Sequence, residues 1–235
     1  MQQMRIHSVN AAAPAWLEHG GRSYRSGIGK RPVEGAVQIG FVQNGVVQNG
    51  FVHNNGSGVA GDAVCNEKHH GGPDQAVYAY SQDDYDWWAD ETGRAFPPGS
   101  FGENLTIEGM PTDLAVGDRL LTGVLVLEVT APRIPCATLE AALRTQGFAQ
   151  QFREAERPGA YLRVLNAGAV RRGDSVTLLS GAENAPGIVE LFRFNYAPAN
   201  DAERIRRYLD APLAARLRGK LEARLEKLGT AASTA

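Results

Sequence analysis

Cysteine is scarce in this chain, and long apolar runs are missing. The two cysteines, Cys65 and Cys136, are too few for a disulfide scaffold among 235 residues. They form neither a CxxC pair nor a zinc pattern. They also cannot hold an iron–sulfur cluster, so any electrons that the protein uses must come from another protein. No apolar run approaches the roughly 20 residues of a membrane helix.

The chain also lacks a large excess of charge of either sign. Lys and Arg number 24 and Asp and Glu 26, which gives a net charge of −2. This balance argues against a nucleic-acid or membrane partner. The first residues enter a strand-like segment without the pattern of a signal peptide, which predicts a cytoplasmic protein.

Glycine and proline, in contrast, are plentiful. The 27 glycines and 12 prolines predict many short strands with tight connections over residues 1–181. Asn-Gly units between residues 38 and 61 predict a peripheral hairpin. After a linker at 181–187, three helices are predicted within 186–229, and the last carries leucines at i, i+4 spacing. We expect this small helical domain to pack on the first domain or on a second subunit, which leaves a homodimer open.

Cys136 has the most suggestive surroundings in the sequence. An apolar strand, Val124–Val129, leads to a loop that contains Pro132 and Pro135 and places Cys136 at the start of a helix. The prolines restrict the loop backbone. A thiol at a helix start is favoured as thiolate, the form that attacks electrophiles and binds soft metals. A buried structural cysteine is the alternative.

Three further segments combine glycines with polar side chains. Lys30 and Arg31 follow glycines, so this segment is either an anion-binding loop or a turn with solvated charges. His69 and His70 precede Gly71 in either a site loop or a polar turn, and no third ligand at a telling spacing supports zinc. Asn104, near a strand start, either caps a turn or faces a ligand.

Taken together, these motifs resemble the MOSC family, the domain shared with the C-terminal part of molybdenum cofactor sulfurases, and in particular its bacterial YiiM-like subgroup. The resemblance covers nearly the whole chain, including the C-terminal helices. Its motifs lie at residues 26–28, 30–33, 61–62, 69–74, 101–106, 117–118, 132–136 and 157–159.

The resemblance implies a mainly β fold, a MOSC-type β-barrel over residues 1–181 followed by the three-helix domain. It further implies a molybdenum–pterin cofactor with Cys136 as the thiolate ligand of the metal and as the catalytic residue. The cofactor-binding residues would be Lys30, Arg31, Asp62, His69, His70, Gly71, Asn104 and Arg133. Among them, Lys30, Arg31 and Arg133 are candidates for the pterin phosphate, and Asp62 for holding a neighbouring base or histidine.

The activity implied by the resemblance is a molybdenum-dependent reduction of N-hydroxylated compounds, such as 6-N-hydroxylaminopurine, with a separate electron donor. Two alternatives stay open: a sulfur carrier that uses a Cys136 persulfide, and a non-catalytic carrier of the molybdenum cofactor. The chain also departs from its relatives. Cys65 and Asn66 replace the usual Ala-Asp pair, which removes a carboxylate near the expected pocket rim. The local argument gives Cys65 no role.

Overall fold

The structure is a computed structural model that describes residues 3–43, 46–47, 57–66, 68 and 70–233. Its strands, in chain order, are β1 Met4–Ala11, β2 Ala15–His19, β3 Arg22–Ser26, β4 Arg31–Pro32, β5 Val37–Ile39, β6 Val42–Gln43, β7 Val46–Val47, β8 Val77–Ser81, β9 Leu105–Glu108, β10 Arg119–Thr122, β11 Leu125–Pro132, β12 Ala160–Asn166, β13 Gly168–Val170 and β14 Ser175–Leu179. Its α-helices are α1 Gln82–Thr92, α2 Ala137–Leu143, α3 Phe148–Ala155, α4 Ile188–Tyr196, α5 Ala202–Leu209 and α6 Ala215–Ser233.

Seven strands close into a barrel, which confirms the predicted fold class. They follow the order β14-β10-β11-β12-β8-β9-β1, and β14 pairs back with β1. Neighbours are antiparallel apart from the parallel pair β8–β9. Inward-facing aliphatic side chains fill the interior, with Ile6, Val77 and Leu162 at most 1% exposed. Closure removes the free sheet edges that would otherwise invite pairing with other chains.

An aromatic cluster lies outside this barrel and supports the segment that carries Cys136. Helix α1 begins and ends where its acidic first turn and Gly93 predict, and Gly93 adopts a left-handed conformation. Trp88 is buried and donates from Nε1 to the Tyr80 hydroxyl at 2.9 Å. Leu139 and Phe152, from α2 and α3, pack in the same cluster. Trp88 therefore has a packing role.

The C-terminal helices pack on the barrel rather than standing apart from it. Ile188, at the start of α4, belongs to the barrel core. The Ala214 amide, just before α6, donates to the Thr130 carbonyl of β11 at 3.0 Å. The leucine stripe of α6 packs against α4 and α5, and Leu221 is buried. The boundaries 1–181 and 186–229 stay a prediction.

Two local expectations need revision. Strand β11 runs through Pro132 instead of ending at Val129. Because β10 pairs with β11 only up to Glu128, a proline without an N–H is tolerated further along. The predicted peripheral hairpin is present in part as β6–β7, and residues 44–45 and 48–56 lie outside the described residues. Its flanks are not peripheral, because Val37 and Val59 are buried in the barrel core.

Candidate functional site

A cavity of about 370 Å³ opens beside the barrel where the Cys136 loop, the His70 loop and the β2–β3 hairpin meet. Six of the predicted site residues besides Cys136 line it. They are Lys30, Asp62, His70, Gly71, Asn104 and, directly after β11, Arg133. Residues from positions 30 to 136 thus converge on one concave surface, the usual form of a small-molecule site.

Cys136 occupies the N-cap position of α2 and faces the cavity with partial exposure. Burial raises the pKa of its thiol. A hydrogen bond with His70, the Arg133 charge and a hydrogen bond with Thr138 outweigh burial and lower that pKa to about 6. Cys136 is therefore mainly a thiolate at neutral pH, which makes it a soft and nucleophilic ligand.

Arg133, three residues before Cys136, is the side chain whose charge lowers the pKa of this thiol most. It is 3% exposed, and its guanidinium lies 5.3 Å from the Phe152 ring centroid and 5.8 Å from that of Tyr78. Burial opposes its charge, but neighbouring groups, Tyr78 and Cys136 foremost, outweigh burial and raise its pKa. Its Nη1 atom has no hydrogen-bond partner among the described residues. A buried donor of this kind costs free energy unless a ligand satisfies it.

Lys30 and Asp62 form a buried ion pair in another part of the cavity wall. Asp62 also accepts hydrogen bonds from the Ser57 hydroxyl at 2.7 Å and from the Asn104 amide at 2.9 Å. The role expected for Asp62, holding a neighbouring base or histidine, stays a prediction; the basic group that it contacts here is the Lys30 ammonium. Since the Lys30 charge is already paired, this lysine is less free than Arg133 to neutralise a ligand.

Of the remaining predicted residues, His70 lies at the cavity and Arg31 does not. His70 lies next to the thiol, with Nδ1 3.3 Å from the Tyr161 hydroxyl. Arg31 is exposed and does not line the cavity, because it lies on β4 at the outer end of β1. His69 lies outside the described residues. The turn with solvated charges, the alternative for this segment, is correct for Arg31 and wrong for the buried Lys30.

Several cavity residues were not found from the sequence. Cys65, which had been given no role, lines the same cavity as Cys136, and burial raises the pKa of its thiol. Arg25 and Tyr161 also line it. The sequence contained only the glycine itself, because the contact that it allows is visible in the fold alone: a Cβ on Gly27 would meet the Ala63 carbonyl oxygen at 2.0 Å. Only glycine allows the 63–66 segment this close, so the predicted glycine motif holds Cys65 in place.

The donor set fits a molybdenum–pterin group better than a metal ion held by protein alone. The described ranges contain no group of three or more His, Cys, Asp or Glu side chains that could hold a metal. One thiolate is available, so a bound metal would take its other ligands from a cofactor. The unpartnered Arg133 Nη1 suits an anionic group such as a phosphate.

The site combines a closed barrel, a thiolate and a buried arginine whose Nη1 has no partner among the described residues, which is the arrangement of a small-molecule-binding barrel. Comparisons with known proteins narrow that class. A profile of the MOSC domain matches residues 66–177. Over 212 residues the chain is 30% identical to the uncharacterized protein YflK of Bacillus subtilis, and the match covers 89% of each chain. The chain belongs to the MOSC domain family.

Two further similarities describe its relatives. The crystal structure of YiiM from Geobacillus stearothermophilus superposes with a TM-score of 0.73 at 25% identity, covering 94% of this chain and 99% of that one. A protein of Gibberella moniliformis named reductase is 33% identical over 128 residues, which are 52% of this chain and 23% of the fungal protein.

Within the described part of the chain, no helix is long and apolar enough to cross a bilayer.

Proposed function

We propose that this protein is a molybdenum-cofactor-dependent reductase of N-hydroxylated compounds, with electrons from a separate donor protein. The observation that carries the proposal is the Cys136 thiolate in a cavity beside Arg133, whose Nη1 has no partner among the described residues. Membership of the MOSC family and the fungal relative named reductase support it. The proposed substrates are N-hydroxylated bases such as 6-N-hydroxylaminopurine.

In this proposal the residues around the cavity divide the binding work. Cys136 Sγ would be the protein ligand of the molybdenum. Arg133 Nη1 would donate to the anionic end of the pterin, and Asn104, which donates to Asp62, borders the space for pterin or substrate. The bound cofactor would supply the two-electron chemistry, and the protein would supply binding and orientation.

The net reaction consumes two electrons and two protons. The N–O bond breaks, an N–H bond forms, and the oxygen leaves as water. His70 and Tyr161 are well placed to hold a proton beside the thiol, since Nδ1 and the hydroxyl lie 3.3 Å apart. Burial raises the pKa of Tyr161, so its hydroxyl stays protonated at neutral pH and can donate.

The test compares Cys136→Ala with Cys65→Ala, because both thiols line one cavity. Each variant is purified gently from cells that make the cofactor, and molybdenum and pterin are measured per chain. Activity is then assayed with 6-N-hydroxylaminopurine and a reduced dye. We expect Cys136→Ala to lose molybdenum and about 100-fold or more in activity, and Cys65→Ala to retain both.

Each contrary outcome would indicate a different ligand or function for this protein. Full molybdenum in Cys136→Ala would show that Cys136 is not the ligand. Bound cofactor without turnover would identify a cofactor carrier. Wild-type protein without molybdenum but heavier by one sulfur atom would identify a persulfide carrier, which the lowered thiol pKa also suits.

A further inference from the structure

We propose that Arg216, on α6, is a positioning residue that holds the His70 loop in its cofactor-binding shape. The C-terminal helices would then help to form the site, because one of them supplies this residue. The inference rests on the proposed function for its cofactor readout, whereas its structural readout can be measured on cofactor-free protein.

The guanidinium of Arg216 binds the back of the cavity wall. Its Nη1 donates to the Gly71 carbonyl at 2.9 Å and to Gln75 Oε1 at 3.0 Å, and its Nη2 lies 3.5 Å from the His70 carbonyl. His70, Gly71 and Gln75 all line the cavity. One side chain from α6 therefore contacts three cavity residues without occupying the cavity lining itself.

The loop has two local backbone hydrogen bonds, from the His70 N–H to the Asn66 carbonyl at 2.9 Å and from the Gln75 N–H to the Gly72 carbonyl at 3.1 Å, but two adjacent glycines work against its order. Gly71 and Gly72 are consecutive residues with φ of 67° and 89°. Glycine reaches these angles without strain, but it also loses much conformational entropy when it is fixed. Contacts from elsewhere in the fold must offset that loss, and charge-assisted hydrogen bonds to carbonyls are among the stronger ones.

A second set of contacts, all made by Asp74, anchors the same loop to the start of α6 and to strands β11 and β12. The Ala215 amide donates to Asp74 Oδ2 at 2.8 Å, and the Thr130 hydroxyl donates to the Asp74 carbonyl at 2.6 Å. Arg163 pairs with Asp74 Oδ1 at 3.1 Å. Asp74 thus fixes where the loop meets α6, and Arg216 extends the contact to His70, the residue that hydrogen-bonds with Cys136.

Arg218 provides a matched control on the same helix. Its Nη2 donates to the Leu209 and Ala211 carbonyls, both at 2.8 Å, so it also binds two backbone oxygens. Those oxygens belong to the helical region and not to the His70 loop. Arg216→Gln and Arg218→Gln therefore remove similar bonds at similar positions. Only Arg216→Gln removes bonds to residues that line the cavity.

The first measurement is hydrogen exchange of the amides in residues 70–76 of cofactor-free protein. We expect Arg216→Gln to speed their exchange on the order of tenfold, and Arg218→Gln to leave it unchanged. The second is molybdenum per chain, which should fall on the order of tenfold in Arg216→Gln. Arg216→Lys keeps a charged donor and should recover part of both losses.

Unchanged exchange in Arg216→Gln would overturn the proposal, and so would equal effects of the two glutamine variants, since both would then act through general stability. A lysine variant no better than glutamine would also overturn it. If wild-type protein binds no molybdenum, the proposed function fails, and the exchange data still decide whether Arg216 holds the loop.

Discussion

The cavity has two thiols in opposite electrostatic settings. Near Cys136, Arg133 and His70 outweigh burial, and the thiol pKa falls to about 6. Near Cys65, burial is the largest influence and raises the thiol pKa, although Arg25 and a hydrogen bond with the Gly27 backbone oppose it. Both residues are partly exposed cysteines of one cavity wall.

The difference lies in how strongly hydrogen bonds and charges oppose burial at each thiol. The His70 hydrogen bond and the Arg133 charge outweigh burial at Cys136, whereas Arg25 and the Gly27 backbone do not outweigh it at Cys65. The Lys30 charge faces Asp62, so the influences of the two on Cys65 have opposite signs and offset each other. Arg133 is buried with its Nη1 unsatisfied by any described residue, so its charge acts on Cys136. Together with the His70 hydrogen bond, this charge favours the thiolate of Cys136, whereas the Lys30–Asp62 pair has little net influence on Cys65.

The largest expected effect follows from breaking the pair near Cys65. Asp62→Asn leaves the Lys30 ammonium buried without its counter-charge, which should lower the free energy of unfolding by about 3–5 kcal/mol. Urea denaturation of the purified variant measures this. The Asp62→Asn/Lys30→Met double variant, which removes both charges, should recover much of the loss. A single variant as stable as wild type would show that the pair is not buried as described.

A smaller effect concerns the Cys136 thiol in cofactor-free protein. Its alkylation rate in Cys65→Ser should rise through pH 6 and level off above it, because the thiolate is the reacting form and predominates above its pKa of about 6. In the His70→Gln background the rise should move to higher pH, toward the ordinary value, by about 1–2 pH units. Alkylation rates measured by mass spectrometry from pH 4 to 10 check both statements.

Cys65, measured in Cys136→Ser, is the control for that experiment. Burial raises its pKa above the ordinary value, so its alkylation rate should still be rising at pH 9. Matching profiles for the two cysteines would remove the contrast between the two settings, whatever the cofactor chemistry.

The smallest expected effect belongs to Cys65 itself. Cys65→Ser keeps a similar side-chain volume at a partly exposed position. The free energy of unfolding should therefore change by less than about 1 kcal/mol. Thermal unfolding measures this change, and molybdenum content should match that of wild type. A large loss of cofactor in this variant would mean that the cavity uses both thiols.

Local signals were sufficient wherever a short segment decides its own conformation. The acidic first turn and Gly93 fixed the bounds of α1. The Pro135–Cys136 step correctly predicted a helix start, and the leucine spacing of α6 predicted a buried stripe. Such features depend on propensity, capping and periodicity within a few residues, so they can be read without knowing the rest of the chain.

Local sequence signals did not predict which charged side chains form ion pairs. Lys30 and Arg31 are adjacent and chemically alike, yet the former is buried against Asp62 and the latter is exposed on β4. Cys65 seemed to have no role until the close approach at Gly27 placed it in the cavity wall. Each outcome depends on partners that are distant in sequence.

The sequence alone determined that this is a mainly β protein with C-terminal helices, and it singled out Cys136 at a helix start as the residue most suited to chemistry. The tertiary structure decided which cation acts on that thiol, which cation is already paired, and that Arg216 reaches Gly71 across 145 positions of the chain. The start of a helix and the spacing of its apolar face follow largely from neighbours along the chain. The pKa of a thiol follows from charges and burial in space, which only the folded chain assembles.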